Sequence, residues 1–178
     1  MLLARKPRFC YNDGGGEAVK KNVRLWNILF VLYGCMMLAL LFGRNSMAGD
    51  TPYWQQVWEN ISLQPFHTIS RFMDVLLRKD YYLEKWGSAL VYAGQARLAV
   101  VNLVGNVVMF VPLGFLLPKV SARQRKFWRA MVATALIILL VEMIQLFSLR
   151  GICDVDDLIL NVLGAAIGYA SYQMFAKK

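Results

Sequence analysis

Charge is scarce in this 178-residue chain: Asp, Glu, Lys and Arg together make up 17% of it, where a soluble domain carries about a quarter. With 58% hydrophobic residues and a mean hydropathy of +0.44, too little polar surface is encoded to cover a water-soluble globule. Cysteine and histidine are scarce too. Cys10, Cys35 and Cys153 fall in three separate segments, so no disulfide framework or metal-ligand spacing arises. His67 is the only histidine and has no partner at ligand spacing; it reads as an exposed loop residue rather than a metal ligand. No cofactor is expected. There is no internal repeat and no low-complexity tract, although Asp13-Gly14-Gly15-Gly16 reads as a flexible turn.

What is present is apolar residues in blocks. Four of these approach the roughly 20 residues that cross a hydrocarbon core about 30 Å thick: 25–42, 98–117, 130–149 and 158–175. The first starts late, is long for a signal peptide, and is followed by Arg44-Asn45-Ser46-Met47, which offers no small-x-small cleavage site. It is expected to remain as an anchor. The fold class is therefore all-α, a four-transmembrane-helix bundle.

Lys and Arg set the expected orientation, because cytoplasmic segments accumulate them. Residues 1–24 form a basic tail with Arg5, Lys6, Arg8, Lys20, Lys21 and Arg24. The connection between spans two and three holds Lys119, Arg123, Arg125, Lys126 and Arg129, and the chain ends in Lys177-Lys178. These segments are expected on the cytoplasmic side of the membrane, with both termini inside. The loop 43–97 and the turn between spans three and four then lie outside. Topology and attraction to anionic inner-leaflet lipid account for the net charge of +9. Nucleic acid is not an expected partner.

Within the outer loop, Phe66, Ile69, Phe72, Met73, Leu76 and Leu77 recur at helical spacing opposite Ser70, Arg71, Asp74 and Arg78. An amphipathic interfacial helix follows, lying on the outer leaflet or over the mouth of the bundle. Tyr53, Trp54, Trp58, Tyr81, Tyr82 and Trp86 suit the same interfacial depth.

The polar residues inside spans two to four carry the sharper signal. Glu142 sits seven residues before Leu149, roughly 10 Å below the outer boundary. An acidic group there costs about 2.5 to 3.5 kcal/mol to insert, so it should face the bundle or a wet cavity. Gln145 shares its face. Asn102 and Asn106 in span two, and Asp157 and Asn161 in span four, are each spaced i, i+4 in the outer halves of their helices. Together these six could line a polar pocket open to the outside; alternatively, the amides only glue helices together at about 0.6 kcal/mol per contact. Span one has nothing comparable.

Between spans three and four lies Arg150-Gly151-Ile152-Cys153-Asp154-Val155-Asp156-Asp157. Capping span four requires one or two carboxylates, and three exceed that need. An EF-hand calcium loop is not present, since its glycine and terminal glutamate positions hold Ile159 and Ala165. Gly164 and Gly168, with Ala165, form a small-xxx-small face. Pro112 withdraws the usual donor from the Val108 carbonyl and is expected to kink span two between Gly105 and Gly114.

Several of these segments carry a family resemblance. Asn102-Leu103-Val104-Gly105-Asn106 through Pro112-Leu113-Gly114, then Glu142-Met143-Ile144-Gln145, then Arg150 with Asp154-Val155-Asp156-Asp157 and Asn161-Val162-Leu163-Gly164 resemble the VanZ-like bacterial membrane proteins. Asn60 to Phe66, with Pro65-Phe66, resembles the short motif that precedes span two in that family. The resemblance runs from about Asn60 to Tyr169; the amino-terminal 24 residues have no counterpart in it, and residues 25–178 form the expected VanZ-like domain. It implies a link to low-level resistance to teicoplanin and related lipoglycopeptides, which bind cell-wall precursors outside the membrane, and it does not imply an enzyme. The expected role is therefore modulation of antibiotic or lipid-linked precursor binding at the outer face. In that role Arg150 pairs with a phosphate or carboxylate, Asn102, Asn106, Gln145 and Asn161 supply hydrogen bonds, Glu142 orients them, and Asp154, Asp156 and Asp157 flank the ligand. Two other classes stay open. One is an intramembrane enzyme with Glu142 as general base and a divalent ion on the three aspartates; the other is a small transporter, for which no continuous polar path is visible.

Overall fold

The computed structural model describes residues 14–43 and 49–176. Cys10, Asp13, the basic residues from Arg5 to Arg8, the Arg44–Met47 stretch and Lys177-Lys178 lie outside them. The described residues form α1 (Gly14–Phe42), α2 (Tyr53–Glu59), β1 (Ile61–Ser62), α3 (His67–Leu77), α4 (Lys79–Trp86), α5 (Ala89–Val120), a 3-10 turn at Ala122–Arg125, α6 (Phe127–Phe147), β2 (Cys153–Asp154) and α7 (Val155–Ala176). Four of the helices, α1, α5, α6 and α7, are long and apolar enough to cross a membrane. Most of their large side chains remain exposed, among them Val31, Leu40, Val108, Leu136, Leu140 and Ile167, as lipid-facing residues must be.

Three differences from the sequence reading are structural. The helix α1 begins at Gly14, so Gly14–Gly16 are helical rather than a turn. Helix α5 begins at Ala89, nine residues before the expected Leu98, because the Ser88 hydroxyl caps it by accepting from the Val91 N–H. At 32 residues it is about 48 Å long, well beyond one hydrocarbon core; α3 and α4 both pack against it, and Trp86 of α4 meets Tyr92 near its start. The helix continues through both Pro112 and Pro118. Span one is also more than an anchor: its Tyr33 and Met37 are buried with Phe110, Leu113, Leu116 and Ile138, and the Tyr33 hydroxyl donates to the Met109 carbonyl at 2.9 Å.

The dominant contact joins α5 and α7. Gly164 lies on the backbone of Val107 and Gly168 on that of Val111, so the two helices run in the same direction and α6 returns between them. A Cβ at Gly164 would fall 2.0 Å from the Val107 carbonyl oxygen, and one at Gly168 would fall 1.9 Å from that of Val111. Only glycine lets the backbones meet this closely. The bundle thus has a basic end, with Lys119 to Arg129, and a polar end, with Asn106, Glu142 and the aspartates of the α6–α7 turn.

Candidate functional site

At the polar end the loop after α1 is stitched to the α6–α7 turn. Strands β1 and β2 pair in parallel, Ile61 opposite Cys153 and Ser62 opposite Asp154, and the Cys153 N–H donates to the Asn60 carbonyl at 2.9 Å. Val57, Leu146 and Leu149 pack beneath this pairing, and the Tyr53 hydroxyl donates to the Phe147 carbonyl at 2.7 Å. Leu149 turns the chain out of α6 with a φ of 50°, a left-handed conformation that a leucine holds only where packing fixes it.

The three aspartates have separate duties. Asp156 is fully buried. Its carboxylate accepts the backbone N–H of Phe66 (2.5 Å), Thr68 (2.8 Å) and Ile69 (3.0 Å), so it caps α3 from 88 residues away, satisfying donors that a helix start leaves orphaned. This grip holds Phe66 at a φ of 62°. Asp154 accepts the N–H of Asp156 at 2.9 Å, which caps α7, and the Thr68 hydroxyl at 2.6 Å. Asp157 accepts a hydrogen bond from the Asn106 amide of α5. With these donors occupying the Asp154 and Asp156 oxygens, the turn does not suit a divalent cation. Among the described residues no group of three or more His, Cys, Asp or Glu could hold a metal.

Gln145 and Arg150 reach across to α1. The Gln145 amide donates to the Leu41 carbonyl at 3.0 Å, and the Arg150 guanidinium donates to the Phe42 carbonyl. Carbonyls at a helix C-terminus carry partial negative charge that favours such donors, so these two side chains close the end of α1. Asn102 donates to the Leu98 carbonyl of its own helix at 2.8 Å, and no described hydrogen bond ties it to the other polar residues.

Glu142 and Asn161 differ from the rest. Glu142 is 7% exposed and Asn161 4%. Among the described residues no hydrogen bond reaches the Glu142 carboxylate, while Asp157 and Asp154 lie within electrostatic range of it. The Asn161 amide oxygen is buried without a partner. A buried acceptor without a donor is costly, so the Asn161 oxygen is unused hydrogen-bonding capacity at the polar end, and Glu142 adds a largely buried carboxyl group there. Cys153 borders them: burial first, and then the charges of Glu142, Asp154 and Asp157, push its thiol above the ordinary range. The thiolate is the reactive form. With Cys10 and Cys35 replaced, maleimide at pH 8 is expected to alkylate Cys153 roughly tenfold or more slowly than a small free thiol; alkylation at the free-thiol rate would contradict this environment.

The sequence singled out the polar residues of this end but not the partners that engage them: Thr68, the Phe66 and Ile69 amides, and the Leu41 and Phe42 carbonyls. Backbone partners leave no residue-type signal. Thr134, about two turns before Glu142 on α6 and with a fully buried, unpartnered hydroxyl, was also missed, since threonine in an apolar run reads as packing.

Four membrane-crossing helices joined over a buried polar end define a multi-pass membrane protein. A family model described as VanZ/LLP1 matches residues 30–176, and the chain belongs to the VanZ-like family, which is linked in general to teicoplanin resistance. No curated protein and no solved structure matches it.

Proposed function

We propose that the chain lies in the bacterial cytoplasmic membrane with both termini inside, and that its polar end faces outward and modulates susceptibility to glycopeptides and lipoglycopeptides such as teicoplanin. It acts on the binding of the antibiotic or of a lipid-linked cell-wall precursor. The orientation is supported by the Lys and Arg of residues 119–129, which collect at the other end.

The observation that carries the reading is the buried, unpartnered amide oxygen of Asn161, together with the largely buried Glu142, inside a polar end where Asp154, Asp156 and Asp157 already accept from other groups. A matching ligand presents donors, as an ammonium, amide or hydroxyl does. Asn106 and Asp157, tied to each other beside them, are the next groups such a ligand meets. Gln145, Arg150, Asp154 and Asp156 act as positioning residues, because each already holds a backbone group. Asn102 contributes at the edge of the site.

In cells expressing the chain at matched level, Glu142→Gln is expected to remove most of the change in teicoplanin susceptibility that the wild-type chain produces. The substitution keeps the volume and replaces the carboxyl group with an amide. If susceptibility is the same with glutamine as with glutamate, the ligand role of Glu142 is wrong.

A further inference from the structure

The basic end contains a cleft of about 450 Å³ that the reading above does not use. Arg123 and Gln124 line it from the 3-10 turn, and Trp128, Arg129, Val132 and Leu136 from α6. We propose that this cleft is a binding site for an anionic phospholipid, with the headgroup phosphate between Arg123 and Arg129 and an acyl chain along Val132 and Leu136. The proposal is independent of which end of the bundle faces outward.

Charge complementarity selects the occupant. No Asp or Glu occurs between Glu84 and Glu142, so the segment that forms the cleft carries no acid. Among the described residues the single ion pair joins Arg78 and Asp74, far along the chain. Among the described residues neither guanidinium is paired with a carboxylate, and guanidinium matches phosphate through paired N–H donors. The remaining polar group, the Gln124 amide, has a buried oxygen without a hydrogen-bond partner, which a headgroup hydroxyl would satisfy. Below this polar rim the wall is aliphatic: Val132 and Leu136 are 57% and 62% exposed and one helical turn apart, a strip suited to a chain rather than to a free ion. Trp128, 76% exposed, stands where an indole prefers the boundary between headgroup and hydrocarbon. Basic pockets at membrane-helix ends recognise anionic headgroups in this way. The other cations of the segment are differently engaged: Lys119 lies over the rings of Trp26, Phe115 and Tyr172, and Arg125 and Lys126 do not line the cleft.

Trp128 reports on its own neighbours. The full chain is reconstituted in phosphatidylcholine vesicles in which about one fifth of the lipid is either brominated phosphatidylglycerol or brominated phosphatidylcholine, and the Trp128 signal is taken as the difference from Trp128→Phe. Brominated phosphatidylglycerol is expected to quench that signal at least about twofold more strongly. The double variant Arg123→Gln, Arg129→Gln should abolish the preference, and the control Arg125→Gln, Lys126→Gln should keep it, both with unchanged thermal unfolding. Equal quenching by the two lipids overturns the proposal. So does equal loss in both double variants, which would show surface charge without a site. Removal of the preference by soluble glycerol phosphate would assign the cleft to a free phosphoester and overturn the lipid assignment.

Discussion

Replacing Asp156 with alanine is expected to free the start of α3 and to destabilise the polar end by about 2–4 kcal/mol. One carboxylate holds three backbone donors of the chain between Phe66 and Ile69. Its loss leaves them without partners at a helix start that no local side chain caps. Phe66 loses the contact that keeps it at positive φ, and Thr68 remains tied only through its hydroxyl to Asp154. Amide hydrogen exchange at residues 66–69 should accelerate by roughly 1.5 to 3 orders of magnitude, the equivalent of the same free energy, while exchange in the middle of α5 changes little. Asp156→Asn retains one acceptor oxygen and should fall between the two. If exchange at these amides is unchanged in Asp156→Ala, the cross-chain cap does not operate.

A loss at least as large is expected at the α5–α7 contact. In Gly164→Ala or Gly168→Ala the new methyl would stand 2.0 or 1.9 Å from a backbone carbonyl oxygen of α5, and a helix backbone cannot yield as a side chain does. The helices must separate along their most extensive contact, which costs about 3 kcal/mol or more. Because Asp157 and Asn161 lie on the same helix, the separation also displaces the site. Gly94→Ala and Gly105→Ala, whose added carbons meet nothing within 4 Å, provide controls. They should leave the thermal midpoint in detergent unchanged or slightly raised, since alanine favours helix. Midpoints for Gly164→Ala and Gly168→Ala equal to those controls would contradict the close packing.

These two cases show where the sequence was legible and where it was not. The four spans could be read because each is a long apolar run, and the amphipathic α3 because its apolar spacing is regular. The inward face of α6 was legible from Glu142 alone, since a carboxylate in hydrocarbon must face protein or water. The length of α5 was not, because Gln95 and Arg97 interrupt the apolar run that would have shown it. Above all, the partners of the charged turn were hidden. Asp156 read as a cap for its own helix or as a ligand, and Arg150 as an anion receptor. Their partners are backbone groups of α3 and α1 that only the tertiary fold brings within reach. Once those contacts are in place, the surplus of polar groups at this end narrows to Glu142 and Asn161.

Equilibrium binding of fluorescently labelled teicoplanin to the outer surface of intact cells tests that conclusion most directly. Cells with the wild-type chain, cells with Glu142→Gln, and cells without the chain are compared at matched protein level. Surface binding in the Glu142→Gln cells should return to the level of cells lacking the chain. Binding identical in the wild-type and Glu142→Gln cells would contradict it.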